Sequence, residues 1–365
     1  MTATPQSVRA GSGTFVAAEN LRRGLQSLGH EVSVVAPRWR RVGPAYALRR
    51  LAFNYTLLRA RIASDVLVGI DLDGFALAGR DRPFVAYIMG LLADEARFER
   101  GATRFSMRLQ AVAERAGARR ARLVVTTSEY SRERITAAYG VHPHHIGVAR
   151  PGIDLDRWRA ALDAGRAARG DPTVLTVCHL YRRKNLDAVV RAAAQLKGRL
   201  PPVRFRIVGE GPEGRRLQEN ALRSGVADRV RFLGHLPFEL LAREFRSADL
   251  FCLPSLQEGF GIVFVEAMAA GLPIVAWRAG STPEVVRDTE NGLLVPPENG
   301  NALASAIERL LANRTLHQNM AEVNRRASDQ YSLTGAASRF MQILTSRLDL
   351  RPDVRRLRPS LDCRP

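Results

Sequence analysis

The chain has 365 residues, of which 46% are hydrophobic and 25% charged, and this composition excludes wholesale disorder. The length favours two domains over one. The formal net charge of +19 draws attention to anionic partners, while no apolar run is long enough for a membrane-spanning helix and the N-terminus lacks the apolar segment of a secretory signal.

The first half of the chain alternates one helical pattern with several short apolar runs. A helix is predicted over residues 17–28, where Leu21, Leu25 and Leu28 recur at helical spacing. The apolar, β-rich runs that follow predict strands at residues 31–36, 66–70, 84–88, 123–127 and 146–149.

The second half repeats this alternation with greater regularity. Strands are predicted at residues 174–178, 205–208, 230–233, 250–253, 274–276 and 292–295. Helices are predicted between them at residues 186–196, 213–224, 238–247 and 262–270, with a terminal helix at 332–345. Strands alternating with helices are typical of βαβ units around parallel sheets.

A polar segment with Pro and Gly, residues 150–172, separates the halves and has the composition of a linker. We therefore predict an α/β protein with two doubly wound domains that face a cleft. Ligands of such sheets bind at the carboxyl ends of the strands, so the function should lie in loops facing that cleft.

The most informative loop lies within residues 253–275, LPSLQEGFGIVFVEAMAAGLPIV. Gly259 and Gly261 allow a close approach of the backbone to a ligand, and the free amides of a helix opening at Ile262 suit an anionic group. Glu258 and Glu266 place two carboxylates, which are good acceptors for hydroxyl groups, beside that anion site. Phosphate and hydroxyl groups together indicate a nucleotide sugar. The alternative is an ordinary loop acid and a helix-start acid that satisfies the helix dipole.

The spacing Glu258-x7-Glu266 followed by AMAAGLPIV resembles the signature of glycosyltransferase family 4, also described as the group 1 glycosyl transferases. The blocks TSEYSRERI, GVHPHHIGVARPGIDLDRW, VGEGP and VRFLGHL, and the Pro283-Glu284 pair before NGLLV, resemble further parts of that family in the same order. The similarity extends from about residue 11 to residue 345.

The resemblance implies a GT-B fold of two Rossmann-like domains and a retaining transfer of a hexose-type sugar from a nucleoside diphosphate sugar, with no metal and no other cofactor. It implies that the backbone of Gly259, Phe260, Gly261 and Ile262 binds the donor phosphate and sugar. Glu258 would orient the donor sugar, and Glu266 the ribose. A glycan or lipid-linked acceptor in cell-surface polysaccharide or glycolipid synthesis is the pathway expected from the family.

A second informative segment, residues 175–186 (LTVCHLYRRKNL), is a strand, a short basic loop and the start of a helix. Family members that resemble it hold the donor diphosphate with an Arg just after the strand and a Lys five residues later. Lys184 falls on the Lys position, whereas His179 stands where the Arg would be. Because a guanidinium grips phosphate bidentately and His is only partly charged, we expect Arg182 or Arg183 to compensate. The alternative is a solvated basic loop.

The N-terminal helix is preceded by Gly11-Ser12-Gly13, and Gly13 falls on the second glycine of the family's N-terminal Gly-Gly loop, which faces the donor phosphate and the acceptor. The family has an apolar strand before this loop, and MTATPQSVRA cannot supply one. We hypothesise that the true start codon lies upstream.

The acceptor side departs from the family in a second place. Met89 stands where many members have a His near the reacting sugar carbon, and Asp94 and Glu95 follow. Either acid is a candidate for an acceptor contact, and surface acids are the alternative interpretation.

The basic residues cluster in residues 38–61, which hold seven arginines and no acid, and in residues 97–122. Basic stretches with interleaved aromatics suit an anionic membrane surface, so peripheral attachment to the inner face of the plasma membrane is weighed against a solvated, Arg-rich face. No nucleic-acid-binding module is found. The three cysteines, Cys178, Cys252 and Cys363, match no disulfide or metal spacing, and a cytoplasmic setting is expected. The histidines form no metal set.

These observations divide the chain into an acceptor domain (residues 1–152), a nucleotide-sugar domain (153–330), a return helix on the first domain (331–348) and a basic tail (349–365). Two alternatives stay open. One is a non-catalytic GT-B relative that binds a nucleotide sugar or a membrane. The other is a nucleotide-sugar epimerase or an NAD-dependent oxidoreductase on similar sheets.

Overall fold

The structure, a computed structural model, describes residues 1–2, 13–37, 46–80, 82–163, 170–199 and 202–348. Within these residues the N-terminal unit contains four parallel strands in the order β1-β2-β3-β4. The elements are α1 (Gly13–Ser27), α2 (Tyr46–Thr56), β1 (Leu67–Ile70), β2 (Phe84–Ile88), α3 (Leu92–Glu95), α4 (Gly101–Arg120), β3 (Leu123–Thr126), α5 (Glu129–Tyr139) and β4 (Ile146–Val148).

The sheet of the N-terminal unit is covered on both faces, as its uniformly apolar strands require. All five residues of β2 are buried. One face packs against a cluster that includes Phe53, Leu57 and Ile135, from α2, the turn after it and α5. The other face packs against Ala17 of α1 and Phe340 near the C-terminus.

The strand predicted at residues 31–36 is wrong, because the structure has irregular backbone there and Val34 is 50% exposed. A strand needs a hydrogen-bonded neighbour along its length, and the described backbone bond to this segment is one from the Thr2 amide to the Val35 carbonyl. Met1 lies beside β1: its amine donates to the Val68 carbonyl (2.7 Å) and its carbonyl accepts from Ile70. Gly11 and Ser12 lie outside the described residues.

The described part of the C-terminal unit has six parallel strands in the order β10-β9-β8-β5-β6-β7. Its elements are α6 (Leu155–Asp163), β5 (Thr173–Val177), α7 (Leu186–Gln195), β6 (Arg204–Val208), α8 (Gly214–Arg223), β7 (Val230–Gly234), α9 (Phe238–Ser247), β8 (Leu250–Leu253), α10 (Ile262–Ala269), β9 (Ile274–Trp277), α11 (Thr282–Val285), β10 (Gly292–Val295), α12 (Gly300–Ala312) and α13 (Arg314–Ser328).

From β5 the chain adds β6 and β7 on one side, and it then returns to place β8 on the other side of β5. The order of strands therefore reverses between β5 and β8, and ligands of such sheets bind at the carboxyl ends of the strands at this switch point. The two units are joined by two chain crossings that run side by side, since the Ile153 amide donates to the Tyr331 carbonyl. The last helix, α14 (Leu333–Leu348), then packs along α1 of the N-terminal unit. At their contact Gly24 is required, because a Cβ there would lie 2.6 Å from the Leu333 carbonyl oxygen.

Candidate functional site

The Gly259 loop, residues 254–261, joins β8 to α10 at the carboxyl edge of the C-terminal sheet and faces the N-terminal unit. Gly261 ends the loop with a left-handed backbone (φ 81°), and a Cβ there would come within 2.5 Å of the Phe264 ring. Only glycine satisfies both conditions. The chain therefore turns sharply into α10, and the amides of Ile262 and Val263 in its first turn have no acceptor within the helix.

Lys184 and Glu258 form a buried ion pair at the centre of this edge. The Lys184 Nζ lies 2.5 Å from Glu258 Oε1, and the Ser255 hydroxyl donates to the same oxygen (2.6 Å). Lys184 reaches this place because residues 182–184 form a turn after β5, and the left-handed Asn185 (φ 50°) redirects the chain into α7. Two residues separated by 74 positions in the sequence are thus in direct contact.

The charges around Glu258 control its ionisation. Burial would raise the pKa of the Glu258 carboxyl, but the positive charges of Lys184 and Arg183 and two hydrogen bonds hold that pKa below its ordinary value. Glu258 is therefore an anion at neutral pH. A ligand diphosphate would compete with this carboxylate for the Lys184 ammonium group. When Lys184 binds the diphosphate, the Glu258 carboxylate can accept hydrogen bonds from ligand hydroxyl groups.

The two arginines of the basic loop after β5 lie in different environments, one in the cleft and one exposed to solvent. The Arg183 guanidinium lies 3.1 Å from Glu95 Oε1 across the cleft and approaches the Gln257 carbonyl. Arg182 is exposed, whereas His179 is half-buried, and its Nδ1 lies 3.4 Å from the Glu210 carbonyl oxygen. Of the two candidates to compensate for the missing Arg, Arg183 is the one that the structure brings to Lys184 and Glu258.

Glu266 lies on the second turn of α10, eight residues after Glu258. It is half-buried, and its carboxyl group has no hydrogen-bond partner among the described residues. Burial raises the pKa of Glu266 to about 8. The raised pKa favours the protonated form of this carboxyl, which can both donate a hydrogen bond to a ligand hydroxyl and accept one.

The other donor-side candidates meet at the start of α10. Gly13 faces it from the opposite unit, since a Cβ on Gly13 would lie 3.9 Å from Ile262 Cγ2. Phe260 is buried, and its ring packs edge-on against Tyr331 (5.8 Å between centroids). Of Phe260, therefore, only the backbone is available at the cleft.

The two acceptor candidates separate. Glu95 lies in the cleft on Arg183, whereas Asp94 is 1% exposed, so the interpretation of both as surface acids is wrong. Asp94 accepts hydrogen bonds from the Tyr130 hydroxyl (2.5 Å) and the Arg134 guanidinium (3.0 Å). These contacts occupy Asp94 within the N-terminal unit and assign it a structural role.

One residue on the acceptor side, Asp71, was not among the candidates drawn from the sequence. Asp71 follows β1 with a positive φ of 54°, and its Oδ1 accepts hydrogen bonds from the amides of Met89 and Gly90. Burial raises the pKa of Asp71 to about 6. The signal available in the sequence was a polar residue directly after an apolar strand. In the part of the chain that the structure describes, no group of three or more His, Cys, Asp or Glu could hold a metal ion.

Comparison with known proteins finds two family models that match consecutive parts of the chain. The model described as Glycosyltransferase Family 4 matches residues 11–157, and the model described as Glycosyl transferases group 1 matches residues 161–327. The boundary between the two matches falls where the chain crosses from the N-terminal to the C-terminal unit.

Two curated relatives illustrate the similarity. The chain is 34% identical to a GDP-mannose-dependent alpha-(1-6)-phosphatidylinositol monomannoside mannosyltransferase of Mycolicibacterium smegmatis, over 63% of each chain. It is 37% identical to a D-inositol 3-phosphate glycosyltransferase of Mycobacteroides abscessus, over 58% of this chain and 49% of the relative. The matches thus span about half to three fifths of the curated relatives' length.

Among solved structures, sucrose-phosphate synthase from Thermosynechococcus elongatus superimposes with a TM-score of 0.78 and 21% identity, over 93% of this chain and 95% of that chain. This likeness confirms the predicted fold class, two Rossmann-like units in the GT-B arrangement.

Proposed function

Because the chain belongs to the GT-B glycosyltransferases of family 4 and group 1, we propose that it transfers a hexose-type sugar from a nucleoside diphosphate sugar to a glycan or lipid-linked acceptor, with retention of anomeric configuration. The observation that carries the proposal is the buried Lys184–Glu258 pair beside the open amides of α10. This pair would supply a cation for a diphosphate and, in direct contact with that cation, an anion for sugar hydroxyl groups.

The chemistry asked of these groups is stabilisation of a leaving diphosphate. The bond between the anomeric carbon and the diphosphate oxygen breaks, and the electron pair goes to that oxygen. In this proposal Lys184, Arg183 and the α10 amides would neutralise the developing charge. The acceptor hydroxyl then bonds to the anomeric carbon on the same face, and its proton passes to the departing phosphate. In this proposal side chains and amides supply the positive charge, and no metal is required.

The proposed donor and acceptor classes rest on the relatives. The name of one relative specifies GDP-mannose and a phosphatidylinositol mannoside, and the name of the other an inositol phosphate. These support a hexose donor and a role in making cell-surface glycolipid or polysaccharide. In the site itself, Glu258 would orient the sugar hydroxyls and Glu266 the ribose.

The test is a calorimetric screen of UDP, GDP and ADP and of their glucose, mannose and N-acetylglucosamine conjugates, with and without EDTA. The chain has two lysines, which provides a matched pair of variants. Lys184→Met should weaken binding of the preferred nucleotide at least tenfold. Lys197→Met should not, because the Lys197 Nζ binds the Gly225 carbonyl in an exposed position.

Turnover is then followed by NMR of the anomeric proton of the product. Retention of configuration in the presence of EDTA is the expected result. Loss of turnover with EDTA, or an inverted product, would overturn that part of the proposal. Nucleotide binding without any donor hydrolysis or transfer would favour the non-catalytic relative instead.

We further propose that α4 rests on an anionic membrane when the acceptor is lipid-linked. Its apolar residues Phe105, Leu109 and Val112 recur at helical spacing and are 73%, 50% and 65% exposed. The exposed Arg108 and Arg115 share this side of the helix, and its one acid, Glu114, is buried. A basic, apolar helix face of this kind suits the headgroup region of anionic lipids. In the described residues no helix is both long and apolar enough to cross a membrane.

Co-sedimentation with vesicles of phosphatidylglycerol or phosphatidylcholine tests this surface. Binding should require the anionic lipid and should fall several-fold in a Phe105→Ser, Leu109→Ser variant. Leu222→Ser is the matched control, because Leu222 is 67% exposed on α8 of the C-terminal unit. Equal binding to both lipids at low salt would overturn the proposal.

A further inference from the structure

A single backbone oxygen of the Gly259 loop lies within hydrogen-bond distance of three hydroxyl groups of the opposite unit. The Gly259 carbonyl oxygen lies 2.6 Å from Ser128 Oγ, 3.0 Å from Thr127 Oγ1 and 3.2 Å from Ser131 Oγ. All three hydroxyl-bearing residues are buried at the end of β3 and the start of α5. Buried hydrogen bonds of this kind are costly to break without replacement.

The Gly259 loop also touches the N-terminal unit through its main chain. A Cβ on Gly259 would lie 2.6 Å from the Met89 carbonyl oxygen. This contact leaves no room for a side chain, so glycine is needed here for the approach of the two units and not for its own backbone angles.

A second contact between the units joins Glu284 to the N-terminus of α5. The two carboxylate oxygens of Glu284, on α11, accept hydrogen bonds from the amides of Glu129 (2.9 Å) and Tyr130 (2.8 Å). These amides have no partner within the helix, and a carboxylate is favoured at this end of the helix dipole. The start of α5 is thus capped by Ser128 from its own unit and by Glu284 from the other.

Both contacts converge on Glu258. The Ser281 amide, three residues before Glu284, donates to the Glu258 carbonyl (3.2 Å). On the other side, the Gly259 carbonyl is held towards Ser128. Because the next peptide bond is trans and planar, the Phe260 N–H must then point away from the N-terminal unit. The orientation of the loop peptide beside Glu258 therefore depends on the contact between the two units.

We propose that Ser128 and Glu284 are positioning residues. They hold the two units in the closed arrangement and, through Gly259 and Ser281, set the Glu258 loop for the donor sugar. The part that concerns the donor sugar rests on the proposed function, whereas the part that concerns closure does not. Ser128 and Glu284 belong to two blocks, TSEYS and the Pro283-Glu284 pair, to which the family resemblance alone gives no role.

The test compares Ser128→Ala, Ser128→Thr and Glu284→Gln with the unchanged chain. In Glu284→Gln an amide group replaces one carboxylate oxygen and would face a backbone N–H donor. Ser128→Thr keeps the hydroxyl and should behave like the unchanged chain. Ser224→Ala and Glu290→Gln are the controls, because these residues lie in the C-terminal unit away from the described contacts between the units.

Small-angle X-ray scattering of the chain without ligand measures closure directly. We expect a larger radius of gyration in Ser128→Ala and Glu284→Gln, and no change in Ser128→Thr or the controls. An unchanged radius in both interface variants would overturn the proposal. This measurement needs no activity, so its outcome is independent of the proposed function.

Calorimetry with GDP, UDP, GDP-mannose and UDP-glucose measures the effect on the site. We expect the affinity for the nucleotide alone to change by less than about threefold, while the turnover of the preferred sugar nucleotide falls at least tenfold. A purely structural role would instead lower the melting temperature and weaken nucleotide and sugar nucleotide equally, and that result would overturn the assignment as positioning residues.

Discussion

The two units of the molecule bury charge in different ways. In the described C-terminal unit the buried charged residues are Lys184 and Glu258, and they are paired with each other at the cleft. The N-terminal unit buries Arg50, Asp73, Asp94 and Glu114.

The buried charges of the N-terminal unit are satisfied unequally. The Arg50–Asp73 pair is bidentate, with distances of 2.9 and 3.0 Å, whereas Glu114 forms no ion pair with any of the described residues. A buried carboxyl without a cation is expensive to ionise. The comparison indicates that the C-terminal unit obtains its stability from a continuous apolar core, while the N-terminal unit also depends on polar pairs and on α14.

The largest effect should follow from opening a cavity in the C-terminal core. Phe251 of β8 is fully buried, stacks on Phe245 (5.9 Å) and meets Phe264 edge-on (6.0 Å). Removing this ring leaves a void that rigid strands cannot fill, so Phe251→Ala should lower the free energy of unfolding by about 3–5 kcal/mol. Urea denaturation followed by circular dichroism measures it.

Leu222→Ala is the control for this prediction, because the exposed Leu222 side chain loses little on truncation. A cost below about 1 kcal/mol for Phe251→Ala would mean that the core relaxes around the cavity and is not tightly packed. The contrast between the two units would then lose its basis.

The next effect concerns the uncompensated acid of the N-terminal unit. Burial raises the pKa of Glu114 to about 8, although the Tyr139 hydroxyl and the Leu92 amide donate to one of its oxygens. The folded chain therefore holds a proton that the unfolded chain releases above its ordinary pKa. Between about pH 5 and 8 this site should lower the free energy of unfolding as pH rises, by up to about 1.4 kcal/mol per pH unit.

Glu114→Gln removes this titration, so the stability difference between variant and unchanged chain should grow in favour of the variant from pH 5.5 to 7.5. Urea midpoints at several pH values measure it. Glu133→Gln, at an exposed position of α5, should run parallel to the unchanged chain. If Glu114→Gln also runs parallel, Glu114 is ionised in the folded protein and the N-terminal unit compensates it after all.

The same contrast explains how far the sequence could be interpreted. The six strands predicted for the C-terminal unit are all present within one residue at each end, because each is a short, mainly apolar run with a partner strand on at least one side. In the N-terminal unit the run at residues 31–36 has equally strong β-propensity but no strand forms, since pairing is a property of the neighbour and not of the run.

The candidate site shows a similar limit. Spacing and resemblance identified Glu258, Glu266 and Lys184, and the structure brings Lys184 and Glu258 into direct contact. The sequence did not show whether Arg182 or Arg183 lies beside Lys184 and Glu258, because this depends on the position of Glu95 in the other unit. Asp71 was missed for the same reason: its hydrogen bonds to Met89 and Gly90 join two strand ends that only the folded sheet makes adjacent.

The smallest effect tests the dependence of the N-terminal unit on α14. At Gly24 of α1 a Cβ would lie 2.6 Å from the Leu333 carbonyl oxygen and 3.0 Å from Ala337 Cβ. Gly24→Ala gains helix propensity of about 1 kcal/mol, but the methyl group must push the two helices apart, at a cost of about 1–3 kcal/mol. The net result should be a lower melting temperature.

Gly300→Ala is the matched control for the substitution in α1. It lies in the first turn of α12, where the nearest atom to a Cβ is Arg191 Nε at 3.7 Å, so it gains the propensity without the clash and should be neutral or stabilising. Differential scanning fluorimetry separates the two. If Gly24→Ala is as stable as Gly300→Ala, the α1–α14 contact is loose enough to admit a methyl group. The closure of the N-terminal unit by the last helix would then contribute little to its stability.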